Sequence, residues 1–111
     1  MDELQLTEVD VAGTPALTVR GELDIQTAPD LCARLQAHRG KRLLVNLAQL
    51  DFCDSCGLRA LICEAREARI AGGELVIIAP GSGQVRRLLQ LTGLEEALGV
   101  HVDVAHALTS A

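Results

Sequence analysis

The chain has 111 residues, enough for one packed domain and too few for two. Apolar residues make up 49% of it but aromatic residues only 1%, so the core must be built from aliphatic and small side chains. A net charge of -5, with no Trp and no Tyr, excludes the basic, ring-bearing surfaces on which nucleic acids are usually bound.

The opening MDELQLTEVD is acidic and polar where a secretory signal needs a basic start and an apolar run. The longest apolar run, around LVIIA, is far short of a membrane span. The expectation is a cytoplasmic protein without membrane insertion, whose four cysteines are free thiols.

Residues 4–9 (LQLTEV) alternate apolar and polar, as a half-buried strand does. Gly13-Thr14-Pro15 marks a turn, and ALTVRGEL (16–23) resumes the same period, so the two runs predict an antiparallel hairpin. Thr27-Ala28-Pro29-Asp30 reads as a helix start: a capping hydroxyl, a proline in the first turn and an acid at the positive end. Ala28, Leu31, Cys32 and Leu35 form the apolar stripe of that helix, and Gly40 ends it.

LLVNLAQL (43–50), after Lys41-Arg42, begins as a buried strand rich in aliphatic residues, and Asp54 can cap the helix that follows. The stripe of that helix is Leu58, Leu61, Ile62 and Ala65, with Arg59, Arg66 and Glu67 outside and Gly72-Gly73 at the end. ELVIIA (74–79) is apolar almost throughout, as a strand covered on both faces is. Pro80-Gly81-Ser82-Gly83 leads into a helix carrying Val85, Leu88, Leu89 and Thr92 on one side, with Ser82 as its candidate cap. A short strand (VHVDV) and a terminal helix over 105–108 complete the chain. The order β-β-α-β-α-β-α-β-α predicts one α/β domain over residues 1–111, with a mixed sheet of four to five strands and about four helices.

The stretch LDFCDSCGLRAL (50–61) concentrates the chemistry. Cys53 and Cys56 have dithiol spacing, but the attacking thiol of such a pair normally opens the helix, and Cys53 precedes the cap. Two small residues filling a tight corner is the preferred reading. Zinc needs close ligand pairs; Cys32 and Cys63 are remote from the central pair, and His38, His101 and His106 show no ligand spacing. Asp51 and Asp54 are read as a loop residue and a helix cap before a catalytic pair, and no Ser-His-Asp order can be assigned. In Gly81-Ser82-Gly83 the dinucleotide fingerprint's third glycine is replaced by Arg86, so a turn and cap is preferred to a phosphate loop. Ser55 would occupy the first turn of the helix capped by Asp54, near backbone N–H groups and solvent. By themselves these residues favour an ordinary first-turn serine and leave a phosphorylation switch open.

Assembled, four segments resemble the bacterial anti-sigma factor antagonists, the stand-alone form of the STAS domain: VRGELDIQTAPDL (19–31), LLVNLAQLDFCDSCGLRAL (43–61), AGGELVI (71–77) and RLLQLTGL (87–94). The resemblance implies that Ser55, after Asp54 and before Gly57-Leu58, is the phosphoacceptor. It also implies that Asp24 lies beside it and that Thr27 caps the following helix. Cys56 and Cys53 depart from the hydroxyl, small or aliphatic residues usual there; Arg59 joins the expected partner surface. The implied mechanism is partner switching, without a cofactor or catalytic residues of the chain's own. The unphosphorylated protein binds an anti-sigma factor, a serine kinase of the histidine-kinase-like ATPase fold, and frees a sigma factor. Phosphorylation ends the binding and a phosphoserine phosphatase restores it. The alternative is a constitutive STAS subunit of a transporter, such as a lipid-transport ATPase complex, or of a stress-sensing complex.

Overall fold

The computed structural model describes residues 4–109. The chain opens with an antiparallel hairpin, β1 (Gln5–Val11) and β2 (Thr14–Leu23). Its turn is two residues long, Ala12 and Gly13, both at positive φ (51° and 87°), the geometry that matches the twist of paired strands. Thr14 and Pro15, expected in the turn, therefore already belong to β2, where Pro15 faces Asp10 on the sheet's outermost strand pair.

Helix α1 (Ala28–Gln36) follows, then β3 (Arg42–Asn46), β4 (Leu50–Cys53), α2 (Ser55–Ile70), β5 (Glu74–Ile78) and α3 (Gln84–Thr92). The single turn α4 (Glu95–Leu98) and the short α5 (Val104–Thr109) end the chain. The sheet has five strands in the order β1-β2-β3-β5, with β4 also on β2. Strand β2 is long enough to pair twice on one side. Its first half runs parallel to β3 (Ala16 opposite Leu44) and its second half parallel to β4 (Leu23 opposite Cys53). The run LLVNLAQL is thus two strands: Leu50 begins β4 after a tight turn in which the Asn46 side chain accepts the Ala48 N–H at 2.9 Å. The expected VHVDV strand shrinks to one parallel bridge between His101 and Ile78, because the chain turns into α5 three residues later.

Alternation along β3 and β5 explains their unbroken apolar sequence. Leu43, Val45, Leu75 and Ile77 face the main core with Leu31, Leu35, Leu58, Leu61, Val85 and Leu89 from α1, α2 and α3. Leu44, Val76 and Ile78 face the other way, where Ala107 of α5 closes a second, smaller cluster with Ala16. Strands buried on both faces need apolar residues at every position. Two charged groups lie inside this frame against expectation. Glu64 of α2 binds Arg39 at 3.0 Å and Gln36 at 3.2 Å. Arg86 of α3 donates to the carbonyls of Ala79 and Pro80, at 2.6 and 2.8 Å, and to Glu95 at 2.6 Å. Ile62 and Ala65 are only half-buried, since Glu64 and Ala68 share the inward stripe of α2. No helix among the described residues is long and apolar enough to cross a membrane.

Candidate functional site

Strand β4 gives way to α2 at Asp54, whose backbone is extended (φ -96°, ψ -179°). Its Oδ1 accepts the Gly57 N–H at 2.8 Å, the bond expected of a helix cap. Asp54 also donates its own N–H to the Leu23 carbonyl at 3.1 Å, so the helix starts hard against the end of β2. Gly57 permits that approach. A Cβ there would lie 2.6 Å from Leu23 Cγ and 2.7 Å from the Leu23 carbonyl oxygen. The first turn then splits by face: Ser55, Cys56 and Arg59 are exposed, while Gly57 and Leu58 are buried beneath them. Gly57 and Leu58 therefore support the surface from below and are not part of it.

Two other segments frame this turn. In the loop between β2 and α1, Asp24 Oδ1 accepts the N–H groups of Gln26 and Thr27, at 2.9 and 3.1 Å. Thr27 precedes α1 as expected, but its hydroxyl makes no cap bond. It turns back, donating to the Glu22 carbonyl at 2.8 Å and accepting the Asp24 N–H at 2.9 Å. The hydroxyl is consumed in closing the loop, which leaves Ile25 70% exposed. Phe52, 40% exposed on β4 opposite Glu22, stands at the same end of the sheet.

The second frame was not legible in the sequence. Gln84, the first residue of α3, accepts the Cys53 N–H through Oε1 at 2.9 Å and donates from Nε2 to the Cys53 carbonyl at 2.8 Å. One side chain thus mimics a neighbouring strand on the open edge of β4, one residue before the cap. No local pattern signals a contact across 31 residues of chain. Ser82 is not the cap of α3; Gly83 holds that position at φ 99°, in the region that favours glycine.

The two thiols of the stretch are both free and lie in different surroundings. Cys53 is 1% exposed, and burial, reinforced by the Asp54 charge, pushes its thiol up to about 12. Its Sγ donates to the Asp54 carbonyl at 3.4 Å. Cys56 lies on the exposed side of the cap. Cys32 is half-buried, and its thiol is raised by burial and by the nearby Glu64 and Cys63. No group of three or more His, Cys, Asp or Glu among the described residues is placed to hold a metal ion.

The Ser55 hydroxyl has no hydrogen-bonded base among the described residues: His38 pairs with Glu8, and His101 with His106. The arrangement presents an exposed hydroxyl on a helix start held by the Asp54 cap.

A family model described as "Mlab, STAS domain" matches residues 6–103. Among curated proteins, the chain is 29% identical over 85 residues to the anti-sigma-B factor antagonist of Listeria monocytogenes, covering 74% of each chain. It is 28% identical to the anti-sigma-F factor antagonist RsfB of Mycobacterium tuberculosis, over 97% of this chain and 89% of that protein. Among solved structures, an anti-sigma factor antagonist from Mycobacterium paratuberculosis superposes with a TM-score of 0.84 at 27% identity, covering 96% of this chain and 92% of that one.

Proposed function

Since this chain belongs to the STAS domain family, we propose that it is an anti-sigma factor antagonist switched by phosphorylation of Ser55. Unphosphorylated, it binds a cytoplasmic anti-sigma factor that is also a serine kinase, and a sigma factor is released. The kinase transfers a phosphoryl group from ATP to Ser55, the complex separates, and a phosphatase resets the chain. The antagonist is a substrate and a binding module, with no catalytic residue of its own.

The observation that carries this reading is the presentation of Ser55. It is exposed on the first turn of α2, and the Asp54 cap, the space left by Gly57 and the Asp54 N–H bond to the Leu23 carbonyl fix its backbone. The exposed side chains of Ile25, in the β2–α1 loop, and Phe52, on β4, offer a partner apolar surface at the same end of the sheet. A phosphate adds about -1.5 to -2 charges. Drawing that charge into a contact built on apolar side chains costs more than the contact returns unless the partner supplies matching cations. Asp24, Thr27, Asp54, Cys56 and Arg59 form the polar environment of that contact, over the buried Gly57 and Leu58.

The test begins with capture of partners from the native cytoplasm by the unphosphorylated chain. Incubating the complex with ATP, followed by phosphopeptide mapping, should place the label on Ser55. Ser55→Ala should bind the anti-sigma factor regardless of ATP, and Ser55→Asp should bind poorly. Label at another residue, or parent-like binding by Ser55→Asp, defeats the reading. A constitutive subunit of a transporter or stress-sensing complex would instead co-purify with that assembly and carry no label at Ser55.

A further inference from the structure

We propose that Arg59 is the internal counter-ion of the switch: once Ser55 carries a phosphate, the Arg59 guanidinium on the same helix pairs with it. The inference rests on the reading of Ser55 as phosphoacceptor and adds how the modified state is held.

Ser55 and Arg59 are four residues apart in α2, and both are exposed. Residues at that spacing lie one above the other on a helix. Long helical side chains lean toward the N-terminus, which directs a side chain at position 59 toward the turn that holds Ser55. Arg59 has neither a salt bridge nor a side-chain hydrogen bond among the described residues, unlike Arg39, Arg42 and Arg86.

The charge inventory makes the assignment specific. The segments that build the site are 21–30, 50–60 and 80–84, and Arg59 is the only basic residue in them. The same segments hold Glu22, Asp24, Asp30, Asp51 and Asp54. Of these, Asp54 and Asp24 already accept backbone N–H groups. A phosphate on Ser55 would enter an acidic neighbourhood in which Arg59 is the one basic residue of these segments. Pairing there covers phosphate oxygens that a phosphatase must approach.

The experiment installs phosphoserine at position 55 during translation, so that no kinase is needed. Phosphorus NMR then follows the second ionisation of the phosphate against pH. Arg59→Ala should raise that apparent pKa by about half a unit, the scale of one charge-assisted pair at this helical spacing. Arg59→Lys should recover part of the difference, as a point charge without the planar fork. Arg66→Ala, two helical turns further along, should leave it at the parent value. An unchanged value in Arg59→Ala, or an equal shift in Arg66→Ala, overturns the proposal. Failure of the cognate kinase to label Ser55 would instead defeat the reading of Ser55 and leave this titration unaffected.

Discussion

Replacing Gly57 by alanine tests whether the site depends on backbone contact or on helix formation alone. Helix propensity by itself favours the substitution by about 1 kcal/mol. The tertiary contact opposes it: the new methyl would sit 2.6 Å from Leu23 Cγ, 2.7 Å from its carbonyl oxygen and 3.1 Å from its carbonyl carbon. That same oxygen accepts the Asp54 N–H at 3.1 Å, so moving the helix away stretches the bond that seats the cap. Overpacking of this kind costs about 1–3 kcal/mol, and a weakened hydrogen bond about 1 kcal/mol more. After subtracting the propensity gain, Gly57→Ala should be about 1–3 kcal/mol less stable than the parent. For a domain of this size that lowers Tm by roughly 4–12 °C. The chain has no Trp or Tyr, so unfolding is best followed by far-ultraviolet circular dichroism in urea and on heating. Removing the Leu23 side chain as well should not restore stability, because the carbonyl contact is backbone. A Gly57→Ala protein as stable as the parent, or more so, would refute the argument.

Two further outcomes follow from the bonds around Cys53. Gln84→Ala leaves the Cys53 N–H and C=O without partners and should cost about 1–3 kcal/mol in urea denaturation. Its Cys53 amide should exchange with solvent faster than in the parent, and parent-like protection would show that the clamp is dispensable. The Cys53 thiol, held at about 12 against an ordinary 9.0, keeps its proton in the fold when the unfolded chain has lost it. Its contribution is therefore complete below pH 9 and is lost as pH rises from there toward 12. Stability should fall over that window and fall less in Cys53→Ala; equal slopes in the two proteins would contradict the burial of the thiol.

Local chemistry was readable where neighbouring residues determine the outcome. The hairpin followed from alternation in LQLTEV and ALTVRGEL, and the cap from Asp54 three residues before Gly57. Arg59, Arg66 and Glu67 fell outside as the helical period requires. The misreadings came where distant parts of the chain compete for the same group. Thr27 has a capping residue's identity and position, but the Glu22 carbonyl claims its hydroxyl. Ser82 lost the cap of α3 to Gly83, whose positive φ lets the chain turn into the helix. Between α1 and α2 the sequence reads as one strand where the structure has two, because β2 takes β4 as a second partner only after a turn and a shift in register.

The sequence by itself determined the opening hairpin, the two-sided burial of β5 and the serine that opens α2, because periodicity, caps and turn residues act within a few positions. Tertiary structure alone decided how Ser55 is held. The Leu23 carbonyl, the space left by Gly57 and the Gln84 clamp on Cys53 bring together three segments far apart in the chain. Contacts of that kind depend on where the sheet and helices pack, and no local pattern of residues encodes them.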